Sequence, residues 1–260
     1  MLSLAEEKCG IYVIYGDKKE PSCYNKKRGV LPDDPVFEIN QHSAEALKDR
    51  NDVDRLVSYS LNNGKLRDAM LMVAGFNLGL RIIDLVSMRF KDIYDSDWSV
   101  KDSFVFKEQK TGKLRQLFVN DALRMMCDIY IRDAKPASQN DYMFTSNSNH
   151  KSYVSGYVKC MNVSTGYRII TSAAKAVGLQ CHVSTHTMRK TCAFHMCERE
   201  SKYKHTSDRS VLIVQHILGH SDVRTTFRYA GFDAEEFKDS YMSLNLGINA
   251  IKTYMGAVYR

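Results

Sequence analysis

The chain has 260 residues, 44% of them hydrophobic and 26% charged, with a formal net charge of +7. This length and apolar share fit one large domain with an appendage, and the moderate basic excess suits a polyanionic partner. They leave no room for a membrane-spanning chain, since the apolar run from Ala69 to Leu80 is far too short to cross a bilayer.

Residues 1–45 read as an irregular arm. Gly10 to Tyr15 is β-branched and aromatic and predicts a short strand, followed by the basic cluster Lys26, Lys27 and Arg28. Pro21, Pro32 and Pro35 break the segment. Charges at Glu6, Glu7 and Lys8 before any apolar run exclude a secretory signal. The seven cysteines form no CxxC pair, so the expected location is a reducing cytoplasm, nucleoid-associated if the partner is DNA.

From Asn51 the pattern turns helical. Asn51 is a candidate cap for a helix with Val53, Leu56, Val57 and Leu61 on one face, ended by Gly64. Leu66 to Asn77 predicts a second helix, broken by Gly79, and Leu80 to Met88 a third. Ser103–Lys107 and Leu114–Val119 read as two strands joined by Lys110-Thr111-Gly112-Lys113, with Gly112 free to take positive φ. Asn120 caps a helix carrying Leu123, Met126, Cys127 and Tyr130, and a further helix runs from Tyr167 to Val177, stopped by Gly178.

After Ser184 a helix carries His186 and Arg189, three residues apart and therefore on one face. Cys192, His195 and Cys197 follow; without a second pair at finger spacing they read as core and surface positions of that helix rather than a zinc site. Glu198 to Arg209 is polar and predicts an exposed loop. Val211 to Leu218 predicts an apolar helix ended by Gly219, and Ser221 caps a short helix leading to Tyr229. Residues 233–260 predict a C-terminal helical tail with Phe237, Tyr241, Leu244, Ile248 and Ile251 on its apolar face.

The chemistry follows from a small set of residues. Arg81 and Arg189 can clamp one phosphate, because the planar guanidinium fork matches phosphate oxygens and stabilises charge building on them. A tyrosine hydroxyl can attack such a phosphate to give a covalent intermediate, and a general acid must then protonate the leaving oxygen.

The order Gly79-Leu80-Arg81, Lys110-Thr111-Gly112, His186-x-x-Arg189, Leu218-Gly219-His220-Ser221 and Tyr229 resembles the catalytic domain of the tyrosine recombinases, the phage-integrase family. The resemblance implies a mainly α fold with a small β-hairpin or sheet, the DNA breaking-rejoining catalytic fold, over residues 46–232. It implies catalytic roles for Arg81, Lys110, His186, Arg189, His220 and Tyr229. Tyr229 would be the nucleophile, Lys110 the general acid with Lys113 as its alternate, and Asp84 a brace beside the arginines. The implied activity is site-specific recombination, whether integration, excision or inversion, through a 3′-phosphotyrosine, with no metal or cofactor. The implied partners are double-stranded DNA, three further copies in a tetramer on two sites, and accessory DNA-bending proteins, with no membrane. The family's separate core-binding domain has no counterpart among the first 45 residues, and the tail could dock in cis or on a neighbour. Type IB topoisomerase-like relaxation, or DNA binding without catalysis, are the alternative readings.

Overall fold

The computed structural model describes residues 44–146, 160–203 and 234–258. The arm with its strand and basic cluster, the predicted helix at 211–218 and the cap at Ser221 lie outside the described residues, as does most of the polar run from Ser146 to Ser152.

Helix α1 (Arg50–Asn62) begins one position before the expected cap. Asp49 is the N-cap, and its carboxylate accepts the Asn51 N–H at 2.9 Å. Asn51 itself lies inside the first turn, because Asp49 already stands in the extended conformation that a cap requires. The predicted stripe Val53, Leu56, Val57 and Leu61 is buried.

Helix α2 (Leu66–Leu78) is the centre of the molecule, buried from Ala69 to Leu78. Its predicted stop is a left-handed turn at Gly79, with φ 60°. The predicted third helix is shorter than expected, with α3 spanning Ile82–Ser87, and one further turn, α4 (Phe90–Ile93), follows it.

The hairpin pairs β1 (Ser103–Lys107) with β2 (Leu114–Phe118) in antiparallel register, from Ser103 opposite Phe118 to Lys107 opposite Leu114. Gly112 takes φ 65° in its turn. Asn120 caps α5 (Asp121–Ala134), accepting the Leu123 N–H at 3.1 Å.

Helix α6 (Val163–Ala176) starts a turn earlier than expected. Asn162 caps it by accepting the Thr165 N–H at 2.7 Å, and this Asx signal outweighs the β-branched Val163 and Thr165 that follow. Helix α7 (Thr185–Tyr203) overturns the first part of the loop expected from Glu198: residues 198–203 are helical. No Gly or Pro interrupts the segment, and Glu, Arg and Lys are good helix formers. Polar composition alone does not distinguish a loop from a helix.

The tail forms two helices, α8 (Ala234–Met242) and α9 (Ile248–Val258), not one continuous segment. Gly247, with φ 84°, breaks them, and a side chain there would press on Val57 Cγ2 at 3.2 Å. Both helices pack on their own chain, α9 against α1 and α5, α8 against β2 and α7. Tyr241, Leu244 and Ile251 are core residues. Cys192 and His195 are also buried; His195 Nε2 lies 3.0 Å from the Leu47 carbonyl and its Nδ1 3.4 Å from Glu198. Among the described residues no helix is long and apolar enough to cross a membrane.

Candidate active site

The turn after α2 sets the first arginine. Gly79 reverses the backbone, and Arg81, extended at φ −70° and ψ 152°, caps α3 with its side chain partly exposed. Its Nη1 lies 2.9 Å from Glu108 Oε2. Glu108 ends the inward phase of β1 behind Phe104 and Phe106, and its side chain is 0% exposed. Its other oxygen lies 3.2 Å from Arg115 Nη1, and the Thr111 hydroxyl donates to Oε2 at 2.7 Å. Arg115 comes from β2, in phase with buried Leu117, and donates from Nη2 to the Tyr241 hydroxyl at 3.1 Å.

These partners decide the charge of Glu108. Burial alone would raise its pKa, but the Thr111 hydroxyl and the Arg115 and Arg81 guanidiniums outweigh it and hold the carboxyl below its usual range. Asp84, also buried, goes the other way. Desolvation raises its pKa against the opposing hydrogen bond from the Gln109 N–H, received at 2.7 Å by Oδ1, while Glu108 pushes it further up. Among the described residues, Oδ2 of Asp84 has no hydrogen-bond partner. Asp84 therefore braces the hairpin backbone next to Lys110, and the carboxylate in direct contact with Arg81 is Glu108.

The second arginine arrives on α7. Ser184 Oγ accepts the His186 N–H at 3.2 Å in the first turn, and Arg189 follows on the same face. Arg189 is only 7% exposed and donates from Nη1 to the Gly79 carbonyl at 2.8 Å. Burial pushes its pKa down to about 10, with help from the positive charges of Arg115 and Arg81. His186 keeps an exposed face, yet its pKa is lowered, first by desolvation of the rest of the ring and then by Arg189, Lys190, Arg81 and Lys110. Lys110 stands exposed at the hairpin turn.

Of the six expected catalytic residues, Arg81, Lys110 and Arg189 each stand near enough to His186 to lower its pKa, and Arg81 near enough to Arg189 to lower that of Arg189. His220 and Tyr229 lie outside the described residues. Glu108, Arg115 and Tyr241 are site neighbours that the motif pattern did not single out. The alternation of the strands marks the first two: Phe104, Phe106, Glu108 on one strand and Arg115, Leu117, Val119 on the other share the inward phase. Two guanidiniums, those of Arg81 and Arg115, hold one deprotonated carboxylate, so this cluster carries surplus positive charge at the partly exposed edge of Arg81. Such an arrangement is chemically suited to bind an oxyanion and to stabilise charge that grows on it.

The sequence profile described as the phage integrase family matches residues 48–236. A Bacillus subtilis protein named probable integrase/recombinase YoeC is 31% identical over 200 residues, covering 77% of this chain and 96% of that protein. Tyrosine recombinase XerD of Listeria monocytogenes is 25% identical over 224 residues, covering 82% of this chain and 68% of XerD. Among solved structures, that of XerA recombinase superposes with a TM-score of 0.52 at 21% identity, a likeness of fold. It covers 76% of this chain, which spans 65% of the XerA chain.

Proposed function

The chain belongs to the phage integrase family, the tyrosine recombinases, and from that footing we propose that it cuts and rejoins DNA at specific sites through a 3′-phosphotyrosine intermediate. The observation that carries this reading is that Arg189 is held on the Gly79 turn that launches Arg81, with His186 on the same helix face and within electrostatic influence of both arginines and of Lys110.

In this reading Arg81 and Arg189 hold the non-bridging oxygens of a scissile phosphodiester. The Tyr229 oxygen attacks phosphorus in line and gives up its proton to solvent as the P–O bond forms. The bond to the 5′ oxygen breaks, and that oxygen takes a proton from the Lys110 ammonium. His186 and His220 position the phosphate. Charge on the pentavalent transition state is met by fixed guanidiniums in a partly buried site, where it is stabilised more than in water. The phosphotyrosine keeps the energy of the broken diester. Attack on it by a 5′ hydroxyl of the partner duplex reverses the step and joins the strands without a nucleotide cofactor.

Double-stranded DNA is the substrate, and the basic balance of the chain favours approach to it. Four copies on two sites would exchange strands in two pairs through a four-way junction, within the cytoplasm. The names of the B. subtilis and L. monocytogenes relatives support this class of activity.

The test uses a pool of random-sequence duplexes, each carrying a nick close to possible cut sites so that cleavage releases a short end and traps the adduct. The expected result is a covalent protein–DNA product on a denaturing gel for the wild-type chain and none for Tyr229→Phe. The reading fails if no duplex in the pool yields an adduct, or if Tyr229→Phe still forms one.

A further inference from the structure

Resting on the reading above, we infer that Glu108 is a positioning residue for Arg81 and the hairpin lysine, and that Arg115 is the counter-charge that keeps the positive charge of Arg81 available to the phosphate. Three observations carry it. Glu108 is fully buried, yet it touches the one partly exposed arginine of the site at 2.9 Å. It sits at the base of the turn that bears Lys110: its N–H donates to the Lys113 carbonyl and its carbonyl accepts the Gly112 N–H, both at 2.9 Å. Its second oxygen is taken by Arg115 at 3.2 Å, and Arg115 is itself largely buried and anchored to Tyr241.

A buried ion triad is weak support for stability, because desolvating three charges costs about as much as their attraction returns. Apolar residues would serve a purely structural role there equally well. What the triad does provide is charge arithmetic. One carboxylate between two guanidiniums leaves a net charge of one, and among the three side chains Arg81 is the most open to solvent. Remove Arg115, and Glu108 and Arg81 become a neutral pair that a phosphate must pull apart. Remove both Arg115 and the charge of Glu108, and Arg81 is again a free cation held by a neutral acceptor. The same carboxylate joins Arg81 on one element to the Lys110 turn on another, so the groups on either side of the scissile phosphate share one anchor.

The test compares Glu108→Gln, Arg115→Gln, the double variant and Arg115→Lys. The duplex is a nicked one from which the wild-type chain has formed adduct. Three quantities are measured for each: the single-turnover rate of adduct formation at saturating protein, DNA affinity, and the thermal midpoint. R115Q is expected to slow the saturated rate on the order of 100-fold, as for loss of one preorganised donor, with DNA affinity nearly unchanged. The double variant is expected to recover about tenfold or more of that loss, a sign-reversing coupling that damaged packing would not produce. R115K keeps the charge and is expected to hold a rate near wild type, which also serves as the comparison should R115Q not fold. The inference is overturned by a wild-type rate in R115Q, by a double variant no faster than R115Q, or by a folded R115K as slow as R115Q is expected to be. A wild-type chain that forms no adduct at all instead overturns the functional reading on which the inference rests.

Discussion

Arg189 donates from Nη1 to the carbonyl oxygen of Gly79 at 2.8 Å, across 110 positions of sequence. The second arginine of the site is thereby held by the turn that launches the first. Gly79 stands at φ 60°, a conformation that side chains with a Cβ disfavour, so the turn has little freedom to drift. Two residues later the backbone delivers Arg81, whose guanidinium is fixed by Glu108. The spacing between the two guanidiniums is set by one backbone turn and one carboxylate.

Arg81→Ala and Arg189→Ala are each expected to slow adduct formation about 10²–10³-fold, the usual effect of removing one oxyanion donor. The double variant is expected to lose less than the product of the two, because the guanidiniums act on one phosphate as a unit. Single-turnover rates on a nicked duplex check both statements. Singles within a few-fold of wild type would contradict them.

Tyr241 lies within electrostatic influence of Arg189 and is bonded to Arg115, and it is not the expected nucleophile. It is 2% exposed, its hydroxyl accepts from Arg115, and burial raises its pKa above the ordinary phenol value. Tyr241→Phe is expected to keep adduct formation within about tenfold of wild type, since the lost group is one neutral hydrogen-bond partner. Tyr229→Phe is expected to abolish it. Adduct mapped by peptide mass spectrometry to Tyr241 would reverse the assignment.

Asp84 gives a pH dependence with a definite sign. Its pKa is raised by burial, so the ionised form burdens the fold, and stability present at low pH is lost as pH rises through its titration. Asp84→Asn keeps an oxygen to accept the Gln109 N–H and carries no charge. The variant is expected to match wild type in acid and to exceed it in thermal midpoint by a margin that grows with pH. Glu108, whose lowered pKa makes it lose stability as pH falls, is present in both proteins and cancels in the comparison. A difference that shrinks as pH rises would contradict the assignment.

Gly75 lets α2 approach α7. A Cβ there would stand 2.5 Å from Met188 Sδ and 3.2 Å from Met188 Cβ, and Met188 lies between His186 and Arg189. Gly75→Ala is expected to destabilise the fold by about 1–3 kcal/mol through overpacking and to slow adduct formation by displacing α7. Combined with Met188→Ala it is expected to cost less than the sum of the two singles, because the second change opens the space that the first needs. Denaturant unfolding of the four proteins measures the coupling.

Asn77 is wholly buried and pins the tail. Its Nδ2 donates to the carbonyls of Val73 at 2.9 Å and Leu246 at 3.0 Å, and its Oδ1 accepts from Asn120 Nδ2 at 2.9 Å and the Leu246 N–H at 3.0 Å. Asn77→Ala leaves several buried partners unpaired, at about 1–3 kcal/mol each. Faster hydrogen exchange at the Leu246 amide is the expected local sign, with a lower thermal midpoint as the global one. Unchanged protection at Leu246 would mean that the tail is held elsewhere.

Much of this was written locally in the chain. The stripe Val53, Leu56, Val57 and Leu61, the Asn120 cap, and the left-handed glycines at 79, 112 and 178 depend on neighbours within one or two turns, so periodicity and cap chemistry suffice to place them. The order of Arg81, Lys110, His186 and Arg189 was equally legible, because a motif is a property of sequence. What no local pattern contained was which carboxylate meets Arg81. Asp84, one turn away on the same helix, was the near candidate, yet it turns to the Gln109 amide, and Glu108, 27 positions on, takes the arginine. That choice depends on how the hairpin packs against α3. The division of the tail at Gly247 and its anchoring by Asn77, 169 positions from Leu246, are likewise products of packing. Charge pairing across such separations is settled only when the chain has closed on itself, since the energy of a buried ion depends on every group that replaces its water.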